Sequence, residues 1–180
     1  MGTQVAKVGI IGAGQMGKGI AQVCAASGFK VALNDVSEDR LKSAVEDIDS
    51  AFARQQERGQ LTAAERSERM ASISISSDYA AFGDCDLVIE AASENEELKR
   101  KIFAQLCPVI RKDAIIASNT SSISITRLAA STDRPERFIG IHFMNPVPRM
   151  QLVELIRGIA TEDDTFEASR DFIGKLGKTI

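Results

Sequence analysis

A chain of 180 residues holds one compact domain and barely two. With 44% hydrophobic and 26% charged residues, it has the balance of a globular protein with a sizeable core, which excludes disorder as its main state. The 22 basic and 25 acidic side chains leave a formal charge of −3 and no basic block, so nucleic acid and anionic membranes are not expected partners.

The first apolar run, Val5 to Ile11, has the pattern of a buried strand. Glycines follow, then a helical stretch from about Met16 to Ala26 with Ile20, Val23 and Cys24 on one face and Gly28 as its stop. A second strand is expected over Lys30 to Asn34. Ser37 can cap a long helix from Glu38, with Leu41, Val45, Ile48 and Phe52 at helical spacing and Gly59 as its break. Thr62 and Glu65 form a capping box for a short helix to Met70, which makes an antiparallel helical hairpin.

A strand is expected near Ile73–Ser76 and another over Asp86–Glu90. Ser93 and Glu96 form a second capping box, for a helix with Leu98, Ile102 and Leu106 on its inner face and Pro108 near its end. Further strands are expected at Ala114–Ala117, Ile139–His142 and Leu152–Ile156, with a short helix near Ile125–Ala130. A last helix, Asp163 to Leu176, turns Phe166, Phe172, Ile173 and Leu176 inward, and Lys178–Ile180 resembles the start of one more strand. Alternating strands and helices point to parallel βαβ units: a Rossmann-like, doubly wound, mostly parallel α/β sheet with a helical-hairpin insertion, filling residues 1–180 as one domain.

No apolar run reaches the roughly 18 residues of a membrane helix, and no signal-peptide layout is present. Cys24, Cys85 and Cys107 are widely spaced beside apolar residues, as free thiols of a reducing compartment would be, and a cytoplasmic location is expected. With one histidine and no CxxC, no metal site is expected.

Gly12-Ala13-Gly14-Gln15-Met16-Gly17 matches G-x-G-x-x-G, directly after a strand and opening a helix. In that setting Gly12 permits the tight turn, Gly14 lets a pyrophosphate approach the backbone, and Gly17 lets the helix pack close. The helix N-terminus then offers free N–H groups to the phosphates. Asp35 ends the second strand, where a carboxylate accepts from both ribose hydroxyls and repels a 2′-phosphate, which favours NAD over NADP. A flavin is the other cofactor such a loop can hold.

Ser118-Asn119-Thr120-Ser121-Ser122 follows a strand and reads either as part of a ligand crevice or as a polar cap on the next helix. His142 ends an apolar strand before a loop stiffened by Pro146 and Pro148. It is either a core histidine or a base. Glu154, 12 residues on and flanked by Val153 and Leu155, is either a buried carboxylate needing His142 as partner or an outward residue of an edge strand.

Together GIIGAGQMGKGIAQ (9–22), DLVIEAASENEELKRKIFAQL (86–106), SNTSSISIT (118–126) and GIHFMNPVP (140–148) followed by LVE (152–154) resemble the L-3-hydroxyacyl-CoA dehydrogenase family, which includes the 3-hydroxybutyryl-CoA dehydrogenases. The resemblance covers essentially the whole chain. It implies NAD-dependent oxidation of a 3-hydroxyacyl-CoA to its 3-keto form, or the reverse on acetoacetyl-CoA, a reaction of fatty-acid β-oxidation. It implies His142 as general base, Glu154 as its orienting partner, and Ser121 as the hydroxyl on the substrate oxygen. Gly12, Ala13, Gly14, Gln15, Met16 and Gly17 would hold the pyrophosphate and Asp35 the ribose, with Glu94, Lys99 and Asn145 on the nicotinamide side.

The hairpin resembles the family's arm toward the CoA tail, where Arg54 and Arg58 either contact phosphates or line a solvated face. The family's pattern continues past Ile180 into a helical domain that dimerises, so this chain is expected to be the cofactor domain of a homodimeric parent, with little activity alone. Two other readings are a non-catalytic, crystallin-like nucleotide binder, and a 3-hydroxyacid dehydrogenase that shares the glycine loop. Ser121, His142 and Glu154 oppose the first. The second needs a lysine base, which SNTSS and HFMNP do not fit.

Overall fold

The computed structural model describes residues 2–180. Seven strands form one sheet: β1 (Lys7–Ile11), β2 (Lys30–Asn34), β3 (Ile73–Ser76), β4 (Leu87–Glu90), β5 (Ile115–Ser118), β6 (Phe138–Phe143) and β7 (Val153–Arg157). Their order is β3-β2-β1-β4-β5-β6-β7. All neighbours run parallel except β7, which pairs antiparallel with β6 at the edge. This is the doubly wound, mostly parallel sheet expected from the sequence. The winding reverses between β1 and β4, and at that switch point the loops after the strands part to leave a crevice.

Six helices cover the sheet: α1 (Gln15–Ala26), α2 (Glu38–Glu57), α3 (Ala63–Ala71), α4 (Glu96–Leu106), α5 (Ile125–Ala130) and α6 (Asp163–Lys175). Strand side chains alternate between the two faces. Val8, Ile10, Leu87 and Ile89 pack with Ile20 and Cys24 of α1, Leu41, Ile48 and Phe52 of α2, and Phe172 and Ile173 of α6. Ile11, Val88 and Ile116 face the other way, onto Ile102, Phe103 and Leu106 of α4 and Leu128 of α5, where Cys85 and Cys107 also lie. Phe103 meets Phe138 edge to face at 5.1 Å. All three cysteines are free and buried. None of the described helices is long and apolar enough to cross a membrane.

The hairpin forms as expected. Ser37 caps α2 by accepting from the Arg40 N–H, and Thr62 and Glu65 close their reciprocal box at α3. Arg66 clamps the two helices with two bonds to Asp49, at 2.8 and 2.9 Å. Ala44 takes a buried place on the inner face of α2 that spacing alone assigns to Val45, which is only partly covered.

Two expectations for α4 fail. Its cap is Asn95, whose side chain accepts from the Leu98 N–H, and not a Ser93–Glu96 box. Starting two residues later puts Glu96 and Glu97 in the first turn, where the helix dipole favours them. The inner face is therefore Lys99, Ile102, Phe103 and Leu106, while Leu98 is exposed. At the C-terminus Thr179 pairs with Leu152 in a parallel bridge, consistent with the expected start of a further strand.

Candidate active site and dinucleotide cleft

The three glycines of the first loop do different work. Gly12 has φ +102°, and a Cβ there would lie 2.6 Å from the Ala91 carbonyl oxygen of the loop after β4. A Cβ on Gly17 would lie 1.7 Å from the Gly12 carbonyl oxygen, so α1 can start against the turn only because that atom is missing. Gly14 is the opposite case: nothing lies within 4 Å of its Cβ position, and its φ of −72° suits any residue. Packing does not need a glycine there, whereas a ligand lying on the backbone does.

Gly14 is also the N-cap of α1, with no capping side chain and no acid in the first turn. Every other α-helix except α6 has a capping side chain, and α6 has two acids in its first turn. The start of α1 thus keeps free N–H donors and uncompensated positive dipole, which fits a pyrophosphate. Gly14→Ala should therefore cost no more than about 1 kcal/mol of stability, the difference between the two residues at a helix N-cap. It should weaken NAD binding by about tenfold or more by standing in the ligand's place. Thermal melts and NAD calorimetry on the same variant check both.

Asp35 lies just past the end of β2. It is 5% exposed, accepts from the Ala13 N–H and the Ser37 N–H at 2.9 Å each, and has the half-exposed Arg40 at 3.5 Å. The carboxylate thus ties the glycine loop to the loop after β2.

The parallel strand ends deliver the second half of the crevice. Met16, Ala91, Ala92, Glu94, Lys99, Asn119, Ser121, His142, Phe143, Met144 and Asn145 line one cleft of about 330 Å³. SNTSS does not cap the following helix; Ser124 does, accepting from the Arg127 N–H. SNTSS is instead tied into the cleft wall. The Thr120 hydroxyl donates to Glu94 at 2.5 Å and the Ser121 N–H at 3.2 Å, with the Ser121 hydroxyl 3.4 Å away. Partial burial alone would raise the Glu94 carboxyl. The bonds from Thr120 and Ser121 and the nearby Lys99 charge outweigh it and hold the carboxyl below the usual range.

His142 and Glu154 face each other across the antiparallel β6–β7 ladder in direct register, and Nδ1 lies 3.2 Å from the Glu154 carboxylate. Of the two readings of Glu154, the outward residue of an edge strand is the one found, and it is the ladder register rather than burial that brings it to His142. His142 itself is largely covered, with 20% of its side chain exposed. The Asn119 side-chain oxygen accepts from the Phe143 N–H at 2.8 Å and pins the end of β6 to the end of β5.

Arg54 and Arg58 are not in this cleft. Arg54 lies on α2 beside Lys18, Gln22 and Asp47, and Arg58 is the exposed C-cap of that helix. Three features escaped the sequence reading: the capping role of Asn95, the pinning bond of Asn119, and Glu90, wholly buried at the end of β4. The only signal for Glu90 was an acid closing the apolar run Leu87-Val88-Ile89.

Residues 7–180 match the family described as "3-hydroxyacyl-CoA dehydrogenase, NAD binding domain". Over 180 residues the chain is 60% identical to a 3-hydroxybutyryl-CoA dehydrogenase of Bradyrhizobium diazoefficiens, covering all of this chain and 61% of the relative. A probable 3-hydroxybutyryl-CoA dehydrogenase of Bacillus subtilis is 42% identical over 98% of this chain and 61% of its own. The crystal structure of an (S)-3-hydroxybutyryl-CoA dehydrogenase from Ralstonia eutropha superposes with a TM-score of 0.94 at 47% identity, over 97% of this chain and 62% of that one. The chain thus spans about three fifths of the length of the relatives it matches.

Proposed function

The chain belongs to the family of NAD-binding domains of 3-hydroxyacyl-CoA dehydrogenases, and from that premise we propose that it serves the oxidation of an L-3-hydroxyacyl-CoA to the 3-ketoacyl-CoA, and the reverse reduction of acetoacetyl-CoA. The observation that carries this reading is the His142–Glu154 pair at 3.2 Å, opening onto the cleft that also holds Ser121, Glu94, Lys99 and Asn145. We assign His142 as general base, Glu154 as its positioning residue and Ser121 as the hydroxyl that bonds the substrate oxygen.

The chemistry follows from the donors and acceptors. A carboxylate only accepts, so Nδ1 carries the proton in the bond to Glu154 and the Nε2 lone pair is left for the substrate hydroxyl. As the proton moves to Nε2 the imidazole becomes cationic, and the adjacent carboxylate stabilises that charge as it forms. Ser121, exposed at the cleft mouth, can hydrogen-bond the same oxygen and orient it toward His142. NAD, when bound, accepts the hydride that leaves C3. Gly12 to Gly17 and Asp35 are assigned to its pyrophosphate and adenosine ribose.

The test is a chimera joining residues 1–180 to the remaining two fifths of the Bradyrhizobium relative, assayed with acetoacetyl-CoA and NADH. Turnover is expected, and its absence in a folded chimera that binds NADH overturns the assignment. Residues 1–180 alone should be slower by about a hundredfold or more. The cleft is open on the Ser121 side, and reacting atoms must be held about 3–3.5 Å apart. Equal rates for the two proteins would mean that these residues hold the substrate unaided.

A further inference from the structure

Beneath the cleft lies a carboxylate that the proposed proton chemistry does not use. Glu90 has no exposed surface and is the hub of a buried polar cluster. It accepts from the Lys99 ammonium at 2.7 Å, the Ser118 hydroxyl at 2.6 Å and the Ala92 N–H at 2.7 Å. Lys99 is 1% exposed, yet it reaches the cleft wall, where Glu94 lies 4.0 Å away.

Stability does not explain the pair. A buried ion pair is commonly no more stabilising than an apolar pair of the same volume, and the inner face of α4 is otherwise built from Ile102, Phe103 and Leu106. What the pair does supply is fixed charge. Glu90, Lys99 and Glu94 together carry one net negative charge; without Glu90 they carry none. The oxidised nicotinamide ring is cationic and the reduced ring is neutral, so a fixed charge at this place acts on one form and not on the other. Because Glu90 and Lys99 are themselves buried, solvent screens that difference only in part.

We propose that Glu90 is a positioning residue that holds the Lys99 ammonium and sets the charge beneath the nicotinamide, and so the preference of the site for the oxidised over the reduced cofactor. This rests on the nicotinamide half lying in the His142 cleft. A purely structural Glu90 predicts something else: its loss weakens both cofactor forms in proportion.

The experiment measures NADH binding by fluorescence and NAD binding by competition, on the unmodified chain and its variants. In Glu90→Gln the ratio Kd(NAD)/Kd(NADH) should rise about tenfold, the effect of one charge at roughly 10 Å in a medium of effective dielectric near 20. Glu90→Asp keeps the charge, and its ratio should stay within about twofold of the unmodified chain whatever happens to the two affinities separately. Lys99→Gln should move the ratio the opposite way, and it decides the matter should Glu90→Gln not fold. A ratio unmoved by Glu90→Gln, or by Lys99→Gln in that event, overturns the proposal. If neither form binds the unmodified chain, the placement of the cofactor fails instead.

Discussion

His142→Gln in the chimera should lower kcat for acetoacetyl-CoA reduction by about 10²–10⁴-fold, the usual worth of a positioned acid–base group. NADH affinity should change by less than about twofold, because a charge-neutral swap removes the proton carrier and leaves the glycine loop intact. Glutamine is close to histidine in size and can keep a contact with Glu154, so the β6–β7 ladder keeps its register. Glu154→Gln should fall between the variant and the unmodified chimera. Its amide oxygen still accepts from Nδ1, but the charge that stabilises imidazolium is gone. Steady-state rates with NADH titrations check all three proteins. A His142→Gln rate within about threefold of the unmodified rate would remove the histidine from the chemistry.

Asp35→Ala should weaken NAD binding by about 1.5–3 kcal/mol, the usual worth of hydrogen bonds to a charged group. It should also erase most of the discrimination against NADP. Two changes act together there. The carboxylate that would repel a 2′-phosphate is gone, and Arg40, now 3.5 Å from it, is released to meet that phosphate. The variant should also melt earlier, because the Ala13 and Ser37 N–H groups lose their acceptor. Calorimetry with both cofactors is the measurement. Equal affinity of the unmodified chain for NAD and NADP would rule out the assignment of Asp35.

Most of the architecture could be read in the chain because its signals are local. Lys30–Asn34, Glu38 after Ser37, the Thr62–Glu65 box and Ile73–Ser76 each carry pattern and punctuation within a few residues, and the structure places them there. Around Ser93 to Lys99 two capping residues compete. Ser93 and Asn95 both suit a helix start, and Ile102 and Leu106 share a face with either Leu98 or Lys99. Lys99 goes inward because the buried Glu90 carboxylate receives its ammonium, a partner that local spacing does not reveal.

The site was legible as residue types but not as contacts. His142 and Glu154 could be singled out. Their meeting depends on the register of an antiparallel edge strand, where a slip of one residue turns Glu154 to the other face. Glu90 was hidden for the reverse reason. An acid at a strand end looks like a solvated residue until its cation arrives nine positions on, from a helix whose cap lies two residues past the expected one. Arg54 and Arg58 had behind them only the hairpin's resemblance to an arm toward the CoA tail; their place on α2 sets a face and names no ligand.

The three cysteines turn the sheet into a partition with a reporter on each side. Cys24 points from α1 into the core on one side, while Cys85 and Cys107 lie in the layer with α4 and α5 on the other. Burial pushes the Cys85 thiol up to about 12 and raises Cys24 and Cys107 as well, so none offers a ready thiolate at neutral pH. Cys24 and Cys85 have no exposed surface, so a thiol reagent in solution reaches those two sulfurs only through fluctuations that lift a helix layer off the strands, whereas Cys107 keeps a small exposed edge. The order in which Cys24 and Cys85 react would time the loosening of the two layers separately, in a molecule that needs no added label.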